Sequence, residues 1–150
     1  RKAAELKANI GNIPIAIDCS ATPRPLSLAC FLLMHGFRVY AVFLDEISAV
    51  EKDDFYFLQK YRPMLLLRST MHYKRRLLGR DDVKKYGAVL AIGQKAAYFT
   101  GTNHFVNLIE NNGLYGYTGL LKILDMMAVA VREEKNVPAI IQTKAWGCQA

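Results

Sequence analysis

The sequence predicts an α/β protein, a three-layer sandwich around a mostly parallel, doubly wound (Rossmann-like) sheet of about four to six strands. Short apolar runs alternate with helical segments, which is typical of parallel strands joined by crossover helices. Apolar residues make up 52% of the 150 residues, enough to cover central strands on both faces. No internal repeat or low-complexity linker interrupts the pattern, so residues 1–150 are interpreted as a single domain.

The first half of the chain predicts three helices and three strands. Apolar residues recur at helical spacing over Pro25–His35, where proline suits the first helical position. Ser48 and Glu51 have the spacing of a capping box, which predicts a helix that reaches Tyr61. A further helix is expected at Arg1–Asn9, with Gly11 as its stop, and the predicted strands are Ile13–Asp18, Phe37–Leu44 and Met64–Leu67.

The second half continues the alternation. Ala88–Ile92 is a predicted strand, and Ala97–Thr100 is either a fifth strand or a helical turn followed by a strand near His104–Asn107. Apolar residues on one face predict a helix over Gly119–Glu134. Other expected elements are helical turns or helices at Ser69–Leu78 and Asp81–Tyr86, and a strand or ordered tail at Pro138–Gln142.

The chain carries a formal net charge of +7, part of which lies in one basic cluster. We interpret this cluster as a solvated helix face, with a surface for an acidic partner as the alternative. Few aromatic residues lie near it and no nucleic-acid-binding module is legible, so no nucleic-acid partner is expected. The cluster comprises Lys74, Arg75, Arg76, Arg80, Lys84 and Lys85.

The lack of targeting signals in the sequence and the scattered cysteines predict a cytoplasmic protein. No run of about 18 apolar residues is present, so no membrane-spanning helix is expected, and no signal peptide is visible. The cysteines Cys19, Cys30 and Cys148 are scattered without a CxxC pair, which indicates neither a zinc site nor a disulfide framework. The chain begins at Arg1 and stops abruptly after Cys148, so we expect it to be excised from a longer, multi-domain subunit.

The loop after the first predicted strand, Asp18–Pro23, is a candidate ligand loop. That position often holds phosphate in doubly wound folds. Here glycines are absent and prolines remove amide donors, so no dinucleotide-binding fingerprint is present. Cys19 is either a soft ligand or reactive thiol, or a small buried thiol at the strand end.

Other catalytic constellations are not indicated. The histidines His35, His72 and His104 lack a partner at metal-pair spacing. His104 has a structural interpretation, with a functional role as the alternative. Ser20 and Ser69 lack the GxSxG context of a catalytic serine.

The tripeptide Gly93-Gln94-Lys95 is the main candidate site. It directly follows a buried strand, so Lys95 is expected to point over the carboxyl edge of the sheet, where open α/β sheets bind their ligands. There its ammonium group could pair with an anionic ligand or cofactor. The alternative is an ordinary surface lysine at the start of a turn.

Several segments resemble the last Rossmann-like domain of nitrogenase component 1 proteins. Leu90–Lys95 is similar to the family's strand with a glycine and a lysine-bearing turn, and Tyr98–Leu108 to its connecting segment. Asn112–Gly119 is similar to the glycine–tyrosine turn before the family's closing helix. The upstream Ile13–Leu44 unit is similar to the start of the same domain, so the resemblance covers most of the chain.

The resemblance implies an oxidoreductase or cofactor-assembly subunit, reduced by an ATP-dependent iron–sulfur partner and assembled with a homologous component 1 subunit. An iron–sulfur or related metal cluster is expected in the full-length parent. The family's cofactor-ligating histidine has no counterpart in Asn107–Glu110, so the isolated domain is expected to bind no cofactor and to be inactive. Residues expected to face the parent's cofactor or substrate cavity are Gly93, Gln94, Lys95, Asn107 and Asn111, the asparagines within Asn107–Asn112. The alternative function is a non-catalytic module that binds a small ligand or metal complex.

Overall fold

The computed structural model describes residues 1–76 and 80–143, with only the backbone of 75, 76 and 141–143. It contains a five-stranded parallel sheet with the strand order β3-β2-β1-β4-β5. The strands are β1 (Ile15–Asp18), β2 (Val39–Phe43), β3 (Leu66–Arg68), β4 (Leu90–Ile92) and β5 (Phe105–Val106). Leu77, Leu78 and Cys148, which belong to the expectations above, lie outside the described residues.

Helices cover both faces of the sheet. Alternate strand residues such as Ile15 and Ala16 enter two separate apolar cores, one on each face. Helices α1, α2, α3 and α6 pack in the first core, and α4, α5 and α7 in the second. Their ranges are α1 (Lys2–Ile10), α2 (Pro25–Met34), α3 (Lys52–Leu58), α4 (Asp82–Tyr86), α5 (Gln94–Thr100), α6 (Gly116–Ala130) and α7 (Val137–Thr143). The predicted three-layer, doubly wound α/β fold is therefore confirmed.

A row of alanines lets helix α5 approach the centre of the sheet. Ala16 of β1 pairs in register with Ala41 of β2 on one side and Ala91 of β4 on the other. Their methyl groups belong to the second core, together with Ala96 and Ala97 of α5. Because small side chains meet small side chains, the backbone of α5 lies close to the carboxyl ends of β1 and β4.

Two predictions for the second half are resolved by the structure. Residues Ala97–Thr100 belong to α5 and the strand follows at Phe105–Val106, so the helix-then-strand alternative is correct. A strand or an ordered tail is the expectation for Pro138–Gln142, and the strand is wrong because Val137–Thr143 is a helix. The side-chain oxygen of Asn136 accepts the Ala139 N–H at 3.0 Å, a helix-start signal that the apolar run concealed.

The closing helix α6 begins earlier and ends earlier than predicted, but its buried face is the expected one. Ile123, Leu124 and Met127 are buried, while Leu120 packs at the margin of the core. Helix α6 contacts α1 and the ends of β4 and β5. Within residues 1–76 and 80–143, no helix is long and apolar enough to cross a membrane.

Replacing Leu124 by alanine should lower the free energy of unfolding by about 2–5 kcal/mol, because the side chain is only 2% exposed and its loss leaves a cavity. Val129→Ala on the same helix is the control, since Val129 is 44% exposed. Chemical denaturation of both variants is the measurement. Equal midpoints for Leu124→Ala and the native chain would contradict the assigned core.

Candidate functional site

The candidate site lies at the topological switch point of the sheet. Strands β1 and β4 are neighbours, yet the chain leaves β1 toward α2 on one face and leaves β4 toward α5 on the other. The loops that diverge there form the crevice in which open α/β sheets bind ligands. Gly93, Gln94 and Lys95 directly follow β4 and therefore lie at this crevice.

The carboxylate of Asp18, the last residue of β1, is the centre of the crevice. Asp18 is fully buried. Its Oδ1 accepts the backbone N–H groups of Ser20 at 2.8 Å and Ala21 at 2.9 Å, and also the Ser20 hydroxyl. Its Oδ2 accepts the N–H of Ala96, in the first turn of α5, at 2.7 Å. Burial raises the pKa of Asp18, and these hydrogen bonds oppose that rise.

Gly93 is required by its contact with Asp18. Its φ of 106° lies in a region that side chains other than glycine rarely adopt. A Cβ at this position would lie 2.3 Å from Oδ2 of Asp18. Gly93 therefore allows the start of α5 to reach the buried carboxylate.

Two of the predicted site residues contact each other. The side-chain amide of Gln94 donates from Nε2 to Oδ1 of Asn107, which follows β5, at 2.8 Å. Gln94 is 1% exposed, and its Oε1 has no hydrogen-bond partner among the described residues. The pair joins the loops after β4 and β5 at the same edge of the sheet.

Asn111 belongs to a strained turn that reaches back to the β1 loop. The N–H of Glu110 donates to Ser20 O at 2.9 Å, and the N–H of Asn111 donates to Ala21 O at 2.8 Å. Glu110, Asn111 and Asn112 have φ values of 46°, 61° and 48°. Such left-handed backbone is unfavourable for side-chain-bearing residues, least so for asparagine. The segment after β5 thus bridges to the loop after β1.

Cys19 and Lys95 lie on opposite sides of the crevice. Cys19 follows β1 and is partly buried, while Lys95 lies in the first turn of α5 and is also partly buried. Burial raises the pKa of the Cys19 thiol, the Lys95 ammonium group lowers it, and the carboxylates of Asp18 and Asp45 raise it again. The Cys19 thiol and the Lys95 cation come from two different loops and influence each other electrostatically.

The N-terminus of α2 is capped by a carboxylate from another segment. Glu51 is 2% exposed, and its Oε1 accepts the N–H groups of Leu26 and Ser27, each at 2.9 Å. The predicted capping box is therefore wrong, since the Ser48 hydroxyl has no partner within the described part of the chain and Glu51 bonds to α2 instead. The amides that hold phosphate in nucleotide-binding proteins of this fold are already satisfied.

The histidines do not contribute to the crevice. His104 lies at the opposite, amino edge of the sheet, where its Nδ1 lies 3.0 Å from Ala130 O and its Nε2 lies 3.6 Å from Glu134. Nδ1 of His35 lies 2.8 Å from Phe31 O at the end of α2. His72 is exposed. Among the residues that the structure describes, no group of three or more His, Cys, Asp or Glu side chains could hold a metal ion.

Sequence reasoning named Asp18 and Glu51 but missed the roles of these two carboxylates at this edge. A signal for Asp18 was available, because an aspartate that ends an apolar strand and precedes serine by two residues favours an Asx turn. No local signal could reveal the partner amides of Glu51, because they lie 24 and 25 residues away in the sequence.

The fold class of this chain is assigned from its geometry, because comparison with known proteins found no relative. No protein-family model matches the chain, and a search of curated proteins finds no similar sequence. The five parallel strands in the order β3-β2-β1-β4-β5, with helices on both faces, define a Rossmann-like α/β domain.

Gly93→Ala should lower the free energy of unfolding by about 3 kcal/mol or more. The alanine would have an unfavourable φ, and its methyl group would clash with the Asp18 carboxylate, which backbone N–H groups hold in place. Gly113→Ala is the matched control, since Gly113 also has a positive φ of 75° but has nothing within 4 Å of the position that an added Cβ would take. The control should cost about 1–2 kcal/mol. Equal losses in urea titrations would show that the Asp18 contact is unimportant.

Glu51→Ala should lower the free energy of unfolding by about 1–3 kcal/mol, because two buried amides of α2 lose their acceptor. Glu51→Gln retains an acceptor oxygen and should cost less. Thermal and denaturant unfolding of the two variants provide the test. A Glu51→Ala variant as stable as the native chain would rule out the capping role.

Proposed function

We propose that this chain is a domain of a nitrogenase component 1-like oxidoreductase or cofactor-assembly subunit, in which it helps to enclose a metal-cluster or substrate cavity. The observation that carries the proposal is the convergence of Cys19, Lys95 and the Gln94–Asn107 pair at the switch point. These groups occupy the edge at which doubly wound domains bind ligands. The family resemblance of the same segments supports the assignment.

The filled helix N-termini favour a ligand that is contacted by side chains. Glu51 occupies the amides at the start of α2, and Asp18 occupies an amide at the start of α5. A nucleotide phosphate would have to displace these carboxylates. The side chains at this edge that could contact a ligand include the Lys95 cation, the Cys19 thiol and the amides of Gln94 and Asn107.

Exposed apolar side chains at the same edge favour a cavity shared with another domain. They lie in the connections that follow β2, β3 and β5 and at the start of α6, and three of them, Met71, Tyr115 and Tyr117, are more than 70% exposed. Large apolar side chains concentrated on one surface indicate contact with another protein surface. The set is Ile47, Val50, Met71, Tyr73, Ile109, Tyr115 and Tyr117.

The donor groups fit contact with the periphery of a metal cofactor that other parts of the parent hold. The described residues offer no three-ligand group, and Asn107–Glu110 contains no histidine. Lys95 would instead offer a charge-assisted hydrogen bond to an anionic group. When bound, such a cluster supplies the electron-transfer chemistry, and this domain positions and encloses it.

The alternative function is a non-catalytic module that binds a small ligand or metal complex. It is favoured by Oε1 of Gln94, which has no hydrogen-bond partner within the described part of the chain and could accept a hydrogen bond from a ligand after a small rearrangement. In that case the isolated chain would bind its ligand without a second domain.

Lys95→Ala in the parent subunit should reduce cofactor occupancy or turnover while changing stability by less than about 0.5 kcal/mol, because it removes a partly exposed cation at the crevice. Lys122→Ala, an exposed lysine on α6, is the control. The measurement is metal content and activity after anaerobic purification, alongside the thermal midpoint.

The outcomes separate the two functions. Iron in the parent but not in the isolated 150-residue chain supports the proposed subunit. Stoichiometric iron bound to the isolated chain, or full occupancy and activity in Lys95→Ala, would contradict it. A metal-free parent that retains a small ligand through this domain would support the binding module.

A further inference from the structure

We propose that Asp18 is a positioning residue that sets the geometry between the Cys19 thiol and the Lys95 ammonium group across the switch point. This inference rests on the proposed function only in taking Lys95 as the ligand-facing cation. Asp18 itself is fully buried and so is not available to a ligand in this conformation.

The start of α5 depends on Asp18. Helix α5 has no side-chain cap from its N-cap residue, Gly93, and Asp18 supplies the acceptor for Ala96 from a strand 78 residues away in sequence. Lys95 lies between Gly93 and Ala96, both of which contact the Asp18 carboxylate. The Asp18 carboxylate therefore packs against Gly93 on one side of Lys95 and accepts the Ala96 N–H on the other.

The loop that carries Cys19 is held by the other oxygen of the same carboxylate. Cys19 lies between Asp18 and Ser20, and Oδ1 of Asp18 accepts the N–H groups of Ser20 and Ala21. A shift of the carboxylate would move the thiol loop and the start of α5 relative to each other. The thiol and the ammonium group are thus coupled through the backbone contacts of Asp18.

The rate at which the Cys19 thiol is alkylated depends on its distance from Lys95, so this geometry can be tested without any ligand. The charged groups that act on it are Lys95, which favours the thiolate, and Asp18 and Asp45, which disfavour it. Lys95→Met should therefore slow alkylation of Cys19 by about threefold to tenfold at pH 8, because removing a nearby cation raises the pKa of the thiol and so lowers its thiolate fraction. Peptide mapping by mass spectrometry reads Cys19 separately from the other cysteines.

The test is a double-mutant cycle on the pH profile of iodoacetamide alkylation, using the full 150-residue chain. If Asp18 positions Lys95, the effect of Lys95→Met should shrink to less than about twofold in the Asp18→Asn background, because the two changes act on one interaction. A purely structural role would alter stability and leave the effect of Lys95→Met undiminished. That additive result would overturn the proposal.

Two further variants make the cycle specific. Ser20→Ala removes a hydrogen bond to Oδ1 but leaves the Oδ2 bond to Ala96, so the Lys95 effect should persist in it. Asp18→Ser, which retains a short acceptor for the β1 loop but cannot reach Ala96, is used if Asp18→Asn does not fold. Failure of both Asp18 variants to fold would assign Asp18 to the fold alone and overturn the positioning role. A diminished Lys95 effect with unchanged cofactor occupancy in Lys95→Ala would support positioning and reject only the ligand assignment.

Discussion

The contact between the Asp18 carboxylate and the start of α5 is the constraint on which the centre of this domain depends. It joins the last residue of β1, the loop that follows, and the helix that follows β4. The contact requires glycine at position 93, because any Cβ there would overlap the carboxylate. It is compatible with the fold because alanines on the underlying strands let α5 lie close to the sheet. Backbone sterics, small-residue packing and a buried carboxylate therefore act together at one place.

Carboxylates accept backbone N–H groups at two further places along the carboxyl edge of the sheet. Glu51 caps the amides of α2, and Asp45, which follows β2, accepts the N–H groups of Thr70 and Met71 in the loop after β3. Each carboxylate satisfies backbone donors that would otherwise face the crevice. Desolvation alone would raise the pKa of Asp45, but hydrogen bonds from Thr70, Ser69 and Met71 outweigh it and lower that pKa below its ordinary value. Because these amides are already paired with carboxylates, side chains at this edge are the expected contacts for a ligand.

This arrangement bears on how the proposed function would work. The strained turn at Glu110–Asn112 and the Gln94–Asn107 pair bring the loop after β5 over the switch point. Lys95 and Cys19 remain partly accessible between the loops of β1 and β4. A cofactor held mainly by a neighbouring domain would contact the loops at this edge, with the Lys95 cation among the contacting groups. The exposed tyrosines at the start of α6 would face that neighbouring domain.

The sequence by itself determined the layers of the fold and the candidate position for a ligand site. Apolar periodicity predicted β1, β2, α2 and α6, and the position of Lys95 after a buried strand placed it at the ligand-binding edge. Only the tertiary structure decided where Glu51 bonds, that Asp18 caps α5, and that residues 137–143 form a helix. Local patterns report which faces are buried, because burial follows the periods of helix and strand. They do not report which distant amide a carboxylate will meet, since that depends on strand order, and strand order is set by packing across the whole sheet.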